Sequence, residues 1–265
     1  MTEYALVTGA ASGMGRATAE VMQAAGWSLL LVDLDAGRLE AVGAELRGSG
    51  AVDLLAGDLT DATFIAQLSG KLAECRISAV VHCAGISPGM GKPSRILEVN
   101  LAASIALVDS LVDVIADGAS VVLFASTAGH MIAGTFDQQI AEAITRRDLA
   151  PLQDLATGPE IAYAISKRGV QLLVRNRALS FGKRNMRINS VSPGIIDTPM
   201  SRGEMTQQPL MKTIIEKSPL PRLALPREVA TVATFLCGPD ATFVTGTDIL
   251  VDGGAMTTSA EILVE

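Results

Sequence analysis

Thr8-Gly9-Ala10-Ala11-Ser12-Gly13-Met14-Gly15 closes a short apolar run, Ala5–Val7, and opens directly onto a stretch of helical period, Gly13–Ala25. Glycines at such a turn remove side chains where backbone must approach a ligand. The helix N-terminus that follows offers free N–H groups and a partial positive charge to an anion such as a pyrophosphate. The spacing is G-x-x-x-G-x-G rather than the commoner G-x-G-x-x-G. A glycine-rich turn also serves plain tight packing. Position favours the binding reading, because this turn follows the first strand at the start of the chain.

Outward from that turn the same alternation continues. Apolar runs at Ala5–Val7, Leu29–Val32, Val52–Leu55, Ala79–Val81, Ser120–Phe124, Arg187–Val191 and Asp248–Val251 read as strands. Between them lie helical stretches at Gly13–Ala25, Gly37–Arg47, Ala62–Ala73, Arg95–Ala116, Ile161–Phe181 and Pro226–Leu236. Strand-helix alternation predicts an α/β protein, a parallel sheet covered by helices on both faces. The 265 residues are read as a single domain, 1–265, and 49% hydrophobic residues supply a large core. With only 3% aromatics, that core is built from Ala, Val, Leu and Ile, which suit buried parallel strands.

A net charge of −7 argues against a nucleic-acid partner, which needs a basic patch. Cys75, Cys83 and Cys237 are too few and scattered for a disulfide framework, so a reducing compartment is expected. His82 and His130 lack ligand spacing, and no metal is expected; neither has an obvious serine partner. Met1-Thr2-Glu3-Tyr4 has no basic region typical of a signal peptide. The apolar run Leu29–Val32 is far short of the roughly 20 residues that cross a bilayer. A cytoplasmic protein with no membrane partner is expected.

The second strand ends in Asp33. A carboxylate about 20 residues past the glycines can accept hydrogen bonds from an adenosine ribose and would repel a 2′-phosphate. Neither Ser12 nor Leu34 is basic, so NAD is expected over NADP. Asp35, the competing carboxylate, reads as a turn or cap residue.

Thr8–Gly15, Asp33, Asp58-Leu59, Cys83-Ala84-Gly85, Asn100, Ser126, Tyr163-x-x-x-Lys167, Pro193-Gly194 with Thr198, and Asp252-Gly253-Gly254 follow one another in order. In this the chain resembles the short-chain dehydrogenase/reductase family over nearly its full length. The resemblance implies a Rossmann-type three-layer α/β/α sandwich with a seven-stranded parallel sheet and a nicotinamide dinucleotide. It implies cofactor contacts at Gly9, Ser12, Gly13, Met14, Gly15, Asp33, Asp58, Leu59, Ala84, Gly85, Tyr163, Lys167, Pro193, Gly194, Ile196 and Thr198. Asp58 would meet the adenine, and Ile196 and Thr198 the carboxamide. From its neighbours Thr60-Asp61 alone, Asp58 reads as a helix cap.

Tyr163 and Lys167, four apart in a helical stretch, share a face. A phenol is a poor base at neutral pH. A nearby ammonium and a positive nicotinamide ring both favour the phenolate, which could then take the proton of an alcohol or return it. An amphipathic helix with a core Tyr and an outer Lys explains the bare spacing equally well; the placement of Tyr163 relative to Asn100, Ser126 and Pro193 favours the catalytic reading. The resemblance gives Lys167 the nicotinamide ribose and Asn100 the anchoring of a proton-relay water. Ser126 would polarise the substrate oxygen, and Ser126-Thr127-Ala128-Gly129 favours it over Thr127. Arg168 is expected on the surface.

Three departures stand out. His82-Cys83-Ala84-Gly85 replaces the family's Asn-Asn-Ala-Gly, keeping the small residues but not the asparagine contacts that brace strands. Only fifteen residues separate Ala84 from Asn100, fewer than usual. Thirty-six residues separate Ser126 from Tyr163, where the family usually has a short connection. In this insertion, at about 130–160, Phe136, Ile140 and Ile144 recur every four positions and predict one helix, Thr135–Leu149, stopped by Pro151. It reads as a neutral surface addition, a substrate-pocket wall or a remade subunit interface.

These lengths resemble the bacterial 3α-hydroxysteroid dehydrogenase/carbonyl reductase subgroup, which implies a homo-oligomer, a dimer in preference to the family's common tetramer. A substrate loop is expected at about 198–220. There Met200, Met205, Leu210, Met211, Ile214 and Ile215 would form an apolar lid or an ordinary helix face. The expected substrate is a small hydrophobic alcohol/ketone pair; a broad carbonyl reductase and a non-catalytic NAD-binding scaffold are the rival readings. The intact Asn, Ser, Tyr and Lys argue against the scaffold.

Overall fold

A computed structural model of the chain describes residues 3–46, 50–205 and 210–262, with side chains to residue 258. Arg47, at the end of an expected helix, and residues 206–209 of the expected substrate loop lie outside the described residues. Seven strands, β1 (Glu3–Thr8), β2 (Ser28–Asp33), β3 (Val52–Ala56), β4 (Arg76–His82), β5 (Ser120–Phe124), β6 (Arg187–Pro193) and β7 (Asp248–Val251), form one sheet in the order β3-β2-β1-β4-β5-β6-β7. Every pairing is parallel. This is the Rossmann-type sheet that the sequence led one to expect.

Each central strand divides its residues between two cores, because successive side chains point to opposite faces. Ala5, Val7, Leu29, Leu31, Val81 and Val122 face α1 (Gly13–Ala24), α2 (Ala36–Glu45) and α12 (Pro226–Cys237). Leu6, Leu30, Val80, Val121 and Leu123 face α3 (Ala62–Glu74), α5 (Ala103–Leu111) and α9 (Pro159–Gly182). The chain reverses its direction of strand addition after β3, so β1 and β4 flank a switch point. There the connections from their C-terminal ends diverge and leave a crevice, the usual ligand position in open α/β sheets.

The turn after β1 needs its glycines for close approach. Gly9 has φ +65°, and a Cβ there would stand 2.8 Å from the Ala84 nitrogen; at Gly15 a Cβ would stand 2.0 Å from the Gly9 oxygen. The turn is thereby pressed against the segment after β4, and α1 against the turn.

Two helical stretches differ from expectation. Arg95–Ala116 is not continuous: α4 (Pro93–Leu97) passes through a π-helical turn, Glu98–Ala102, into α5. Such a turn carries an extra residue per loop of helix and recurs at functional sites; Asn100 is at its centre. The insertion holds three short helices, α6 (Thr127–Met131), α7 (Asp137–Arg146) and α8 (Ala150–Leu155). Pro151 does not stop α7. Arg147 does so, in a left-handed conformation with φ 54°, while Pro151 occupies the first turn of α8, where its missing N–H has no helical partner to lose. Ile140 and Ile144 are fully buried in the same core as Ile165 and Leu173 of α9. Among the described residues no helix is long and apolar enough to cross a membrane.

The burial of α7 gives a direct test. Ile144→Ala should lower unfolding free energy by about 2–4 kcal/mol in a denaturant titration. A loss below about 1 kcal/mol would mean that the insertion is only laid over the surface.

Candidate active site

The crevice at the switch point has a volume of about 360 Å3. Of the expected cofactor residues, Gly9, Ser12, Gly13, Met14, Gly15, Asp33, Asp58, Leu59, Ala84, Gly85 and Thr198 line it; Tyr163, Lys167, Pro193, Gly194 and Ile196 do not. Pro193 ends β6, Gly194 donates to the Val251 oxygen at 3.1 Å, and Ile196 lines a second cavity of about 330 Å3. Ser12, the residue before α1, makes no side-chain cap, and no acidic residue stands in the first turn. The first N–H groups of α1 are therefore not taken by their own cap.

Asp33 is held rigidly at the end of β2. Its Oδ2 accepts from the Ala11 N–H at 2.9 Å and its Oδ1 from the Asp35 N–H at 3.0 Å. Asp35 caps α2 by accepting from the Arg38 N–H, as expected of it. Asp58 builds a turn rather than a cap: its Oδ1 accepts from the Thr60 N–H and hydroxyl at 2.8 and 2.7 Å, and Asp61 caps α3. Its Oδ2 accepts from Arg95 at 3.1 Å. Against the opposing effect of burial, the hydrogen bonds from Thr60 and Arg95 hold the Asp58 carboxyl below its usual range.

Asn100, Ser126, Tyr163 and Lys167 converge beside Gly85. A Cβ built at Gly85 would lie 3.1 Å from the Asn100 Oδ1 and 3.4 Å from the Lys167 Nζ. Asn100 is buried and fastens Ile86 on both sides, accepting from its N–H at 2.8 Å and donating to its oxygen at 2.9 Å. Ser126 precedes α6, and its Oγ accepts from the Ala128 N–H at 3.2 Å. The Lys167 Nζ is 5.7 Å from the centroid of the Tyr163 ring and donates to the Phe124 oxygen at 2.9 Å.

Burial dominates the electrostatics of this group. Loss of solvent pushes the Tyr163 phenol up to about 12, a hydrogen bond with Ser126 pulls it down, and the Glu204 carboxylate raises it further. Burial brings the Lys167 ammonium down to about 8. In the protein by itself, without the positive nicotinamide ring that the expectation also invoked, desolvation sets the direction of the Tyr163 shift. Lys167 has three donor positions and, among the described residues, one hydrogen-bond acceptor, so it retains capacity for ligand hydroxyls.

His82 replaces the missing asparagine brace, and contrary to expectation it has a serine partner. Ser104 donates to the Asn100 oxygen at 2.8 Å, so its Oγ must accept from the His82 Nε2–H at 2.9 Å. His82 Nδ1 then accepts from the Thr8 hydroxyl at 2.7 Å, and the Thr8 oxygen accepts from the Ala84 N–H at 3.3 Å. Every proton in this chain has one direction, from the cofactor crevice to the π-helical turn of Asn100. Burial, with Lys167 adding to it, pushes the imidazole down to about 3.

Arg168 is not on the surface. It is 6% exposed and forms a bidentate pair with Asp137 of α7 at 2.7 and 2.5 Å. Its Nη1 donates to the Gln171 Oε1 at 3.0 Å, which turns the Gln171 amide nitrogen toward the Ser126 oxygen at 3.3 Å and the Ser192 hydroxyl at 3.0 Å. Helical spacing could have flagged Gln171, four residues after Lys167. Nothing in the sequence pairs residues 137 and 168. Residue spacing gave no signal for Arg95 or Glu204 either. The expected apolar lid divides: Met200 lines the crevice, while Ile214 and Ile215 line the second cavity with Leu220 and Leu250.

The short chain dehydrogenase family profile matches residues 3–136, and a profile described as Enoyl-(Acyl carrier protein) reductase matches residues 152–256. A short-chain dehydrogenase/reductase of Alternaria brassicicola is 34% identical over 68% of this chain and 69% of its own. A 3-alpha-hydroxysteroid dehydrogenase/carbonyl reductase of Comamonas testosteroni is 29% identical over 94% of this chain and 95% of its own. The crystal structure of the 3-alpha-hydroxysteroid dehydrogenase from Pseudomonas sp. B-0831 complexed with NADH superposes with a TM-score of 0.77, at 26% identity and 98% coverage of each chain.

The buried neutral imidazole makes a pH prediction. His82 is held near 3 in the folded chain and returns to about 6.5 on unfolding. The unfolded state therefore binds more protons between these values, and stability falls as pH drops through that window. Thermal melts from pH 7 to pH 4 should show His82→Asn losing less stability than the parent protein. Equal acid sensitivity of the two would contradict a neutral His82.

Proposed function

The chain belongs to the short-chain dehydrogenase/reductase family, and from that premise we propose that it is an NAD(H)-dependent oxidoreductase interconverting a hydrophobic secondary alcohol and its ketone. The observation that carries this reading is the grouping of Tyr163, Ser126 and Lys167, with the Lys167 Nζ beside Gly85, a residue that lines the same crevice as the fixed carboxylate of Asp33.

The residues present fit the cofactor. The uncapped N-terminus of α1 suits a pyrophosphate, and Asp33 suits a ribose diol while repelling a 2′-phosphate. Lys167 would hold the nicotinamide ribose with the N–H groups that Phe124 leaves free. When bound, the cofactor accepts or returns the hydride of the carbinol carbon, and its positive oxidised ring opposes the burial that raises Tyr163. Ser126 holds the substrate oxygen, and Tyr163 takes the hydroxyl proton in oxidation or gives it back in reduction.

The similarity to two hydroxysteroid dehydrogenases, one of them complexed with NADH, supports both the cofactor and a bulky apolar substrate. The carbonyl-reductase reading uses the same residues in the opposite direction. We further propose a cytoplasmic homo-oligomer, a dimer in preference to a tetramer, since α7 covers part of α9 that a partner subunit could otherwise use.

Tyr163→Phe should lower kcat/KM by about 10²–10⁴ with a hydrophobic secondary alcohol, followed by NADH absorbance, while NADH binding is retained. Because the reacting form in oxidation is the phenolate of a raised phenol, kcat/KM for oxidation should climb with pH above neutrality, and that for ketone reduction should not. Equal rates in Tyr163→Phe and parent protein would contradict the role of Tyr163.

A further inference from the structure

Ser126 stands just before α6, a helix of five residues, and its hydroxyl bonds the Tyr163 phenol on another element, α9. So short a helix does not hold its own shape, and the placement of Ser126 depends on what fastens α6 to α9. Packing supplies one part: Gly129 lies against α9, where a Cβ would stand 2.7 Å from the Arg168 nitrogen. Gln171 supplies the polar part. Its buried Nε2 donates to the Ser126 oxygen at 3.3 Å and to the Ser192 hydroxyl at 3.0 Å.

Two neighbours fix which way this amide faces. A glutamine can present either its oxygen or its nitrogen to a given partner. Arg168 has only protons to offer, and its Nη1 takes the Gln171 Oε1 at 3.0 Å. The one proton of the Ser192 hydroxyl goes to the Asp248 Oδ1 at 3.0 Å, so Ser192 must accept from Gln171. The Asp248 Oδ2 meets Nε2 of His130, on α6 itself, at 2.7 Å. The bonds thus leave at the Ser126 oxygen and return to α6 four residues later. Arg168 is in turn held by both oxygens of Asp137, the first residue of α7. Its guanidinium holds the Asp137 carboxyl below the usual carboxylate range.

Displacing a reacting group by a fraction of its bond length to substrate is enough to slow a reaction severely. We propose that Gln171 is a positioning residue for Ser126, oriented through Arg168 by Asp137 of the insertion. None of the three touches substrate; they act on the reaction by fixing where the Ser126 hydroxyl stands relative to Tyr163. The segment added between Ser126 and Tyr163 thereby supplies the far end of the line that sets their alignment. This rests on the dehydrogenase reading above and extends it to residues outside the reacting group.

The test is a double-mutant cycle, read as single-turnover NADH formation from NAD+ with cyclohexanol and menthol, with enzyme in excess so that slow variants stay measurable. Gln171→Met keeps the length of the side chain and removes the amide. In the parent protein it should lower the rate about tenfold or more. In Ser126→Ala it should change the rate by less than about twofold, because the group it positions has gone. A brace that only stabilises the fold would cost both proteins alike. Since the Ser126 hydrogen bond pulls the Tyr163 phenol down, Gln171→Met should also move the pH rise of oxidation upward in the parent protein and leave it unmoved in Ser126→Ala. Asp137→Asn, which leaves Gln171 and Ser126 themselves unchanged, should show the same dependence on Ser126 with a smaller loss. Calorimetric binding of NADH by each variant confirms that it is folded. Equal losses in both backgrounds, or no loss in the parent protein, overturn the role of Gln171 while leaving the dehydrogenase reading intact. No NADH from either alcohol with the parent protein overturns that reading, and this proposal with it.

Discussion

Two consecutive cations, Lys167 and Arg168, are buried near the middle of one helix, and much of the surrounding structure answers to what each requires. A buried charge is strongly unfavourable unless it is paired and hydrogen-bonded. Adjacent positions on a helix point in different directions, so one neighbourhood cannot serve both. Arg168 is satisfied within the chain, by the Asp137 carboxylate and the Gln171 amide. Lys167 is satisfied only in part, by the Phe124 oxygen, and its ammonium is weakened by burial. One side of α9 is thus closed and structural, and the other is left open for chemistry.

The closed side gives the insertion a physical role. Asp137 comes from α7, so the added segment supplies the counter-charge that permits Arg168 to be buried. Arg168 in turn fixes the Gln171 amide, which donates to the Ser126 oxygen and to Ser192. Ser192 and Ser190 donate to Asp248, whose other oxygen meets His130 of α6 at 2.7 Å. The loop bearing Ser126 is therefore braced at its own carbonyl and again four residues later. On the opposite side the directed chain through Thr8, His82 and Ser104 ties the crevice to Asn100. Paired buried networks of this kind hold reacting groups in one arrangement, because any slippage leaves a buried polar group unpaired.

The layer order and the central residues were legible in the sequence for a simple reason: period-2 and period-3.6 patterns report local geometry. The seven apolar runs each became a strand, extended where polar ends such as Glu3, Arg76 and His82 continue the pairing. Tyr163 and Lys167 were legible because helical spacing puts them on one face, and Asp33 because it ends a buried strand. What was not legible depends on contacts between distant segments. Arg168 looked like a surface cation, since no local pattern announces a partner thirty-one residues away. The π-helical turn at Asn100 preserves the apolar pattern around it and so leaves little trace. Pro151 was taken for a stop because proline ends helices, yet the same property suits it to begin one. The sign of the Tyr163 shift also depended on burial, which spacing does not report.

The account stands on hydride passing directly between a carbinol carbon and the nicotinamide while Tyr163 handles only the proton. Oxidation of a secondary alcohol carrying deuterium at the carbinol carbon, with NAD+, followed by NMR of the dinucleotide product, tests this most directly. The account predicts deuterium on one face of the reduced nicotinamide ring and none released to water. Reduced dinucleotide lacking the label, or label recovered in solvent, would contradict it.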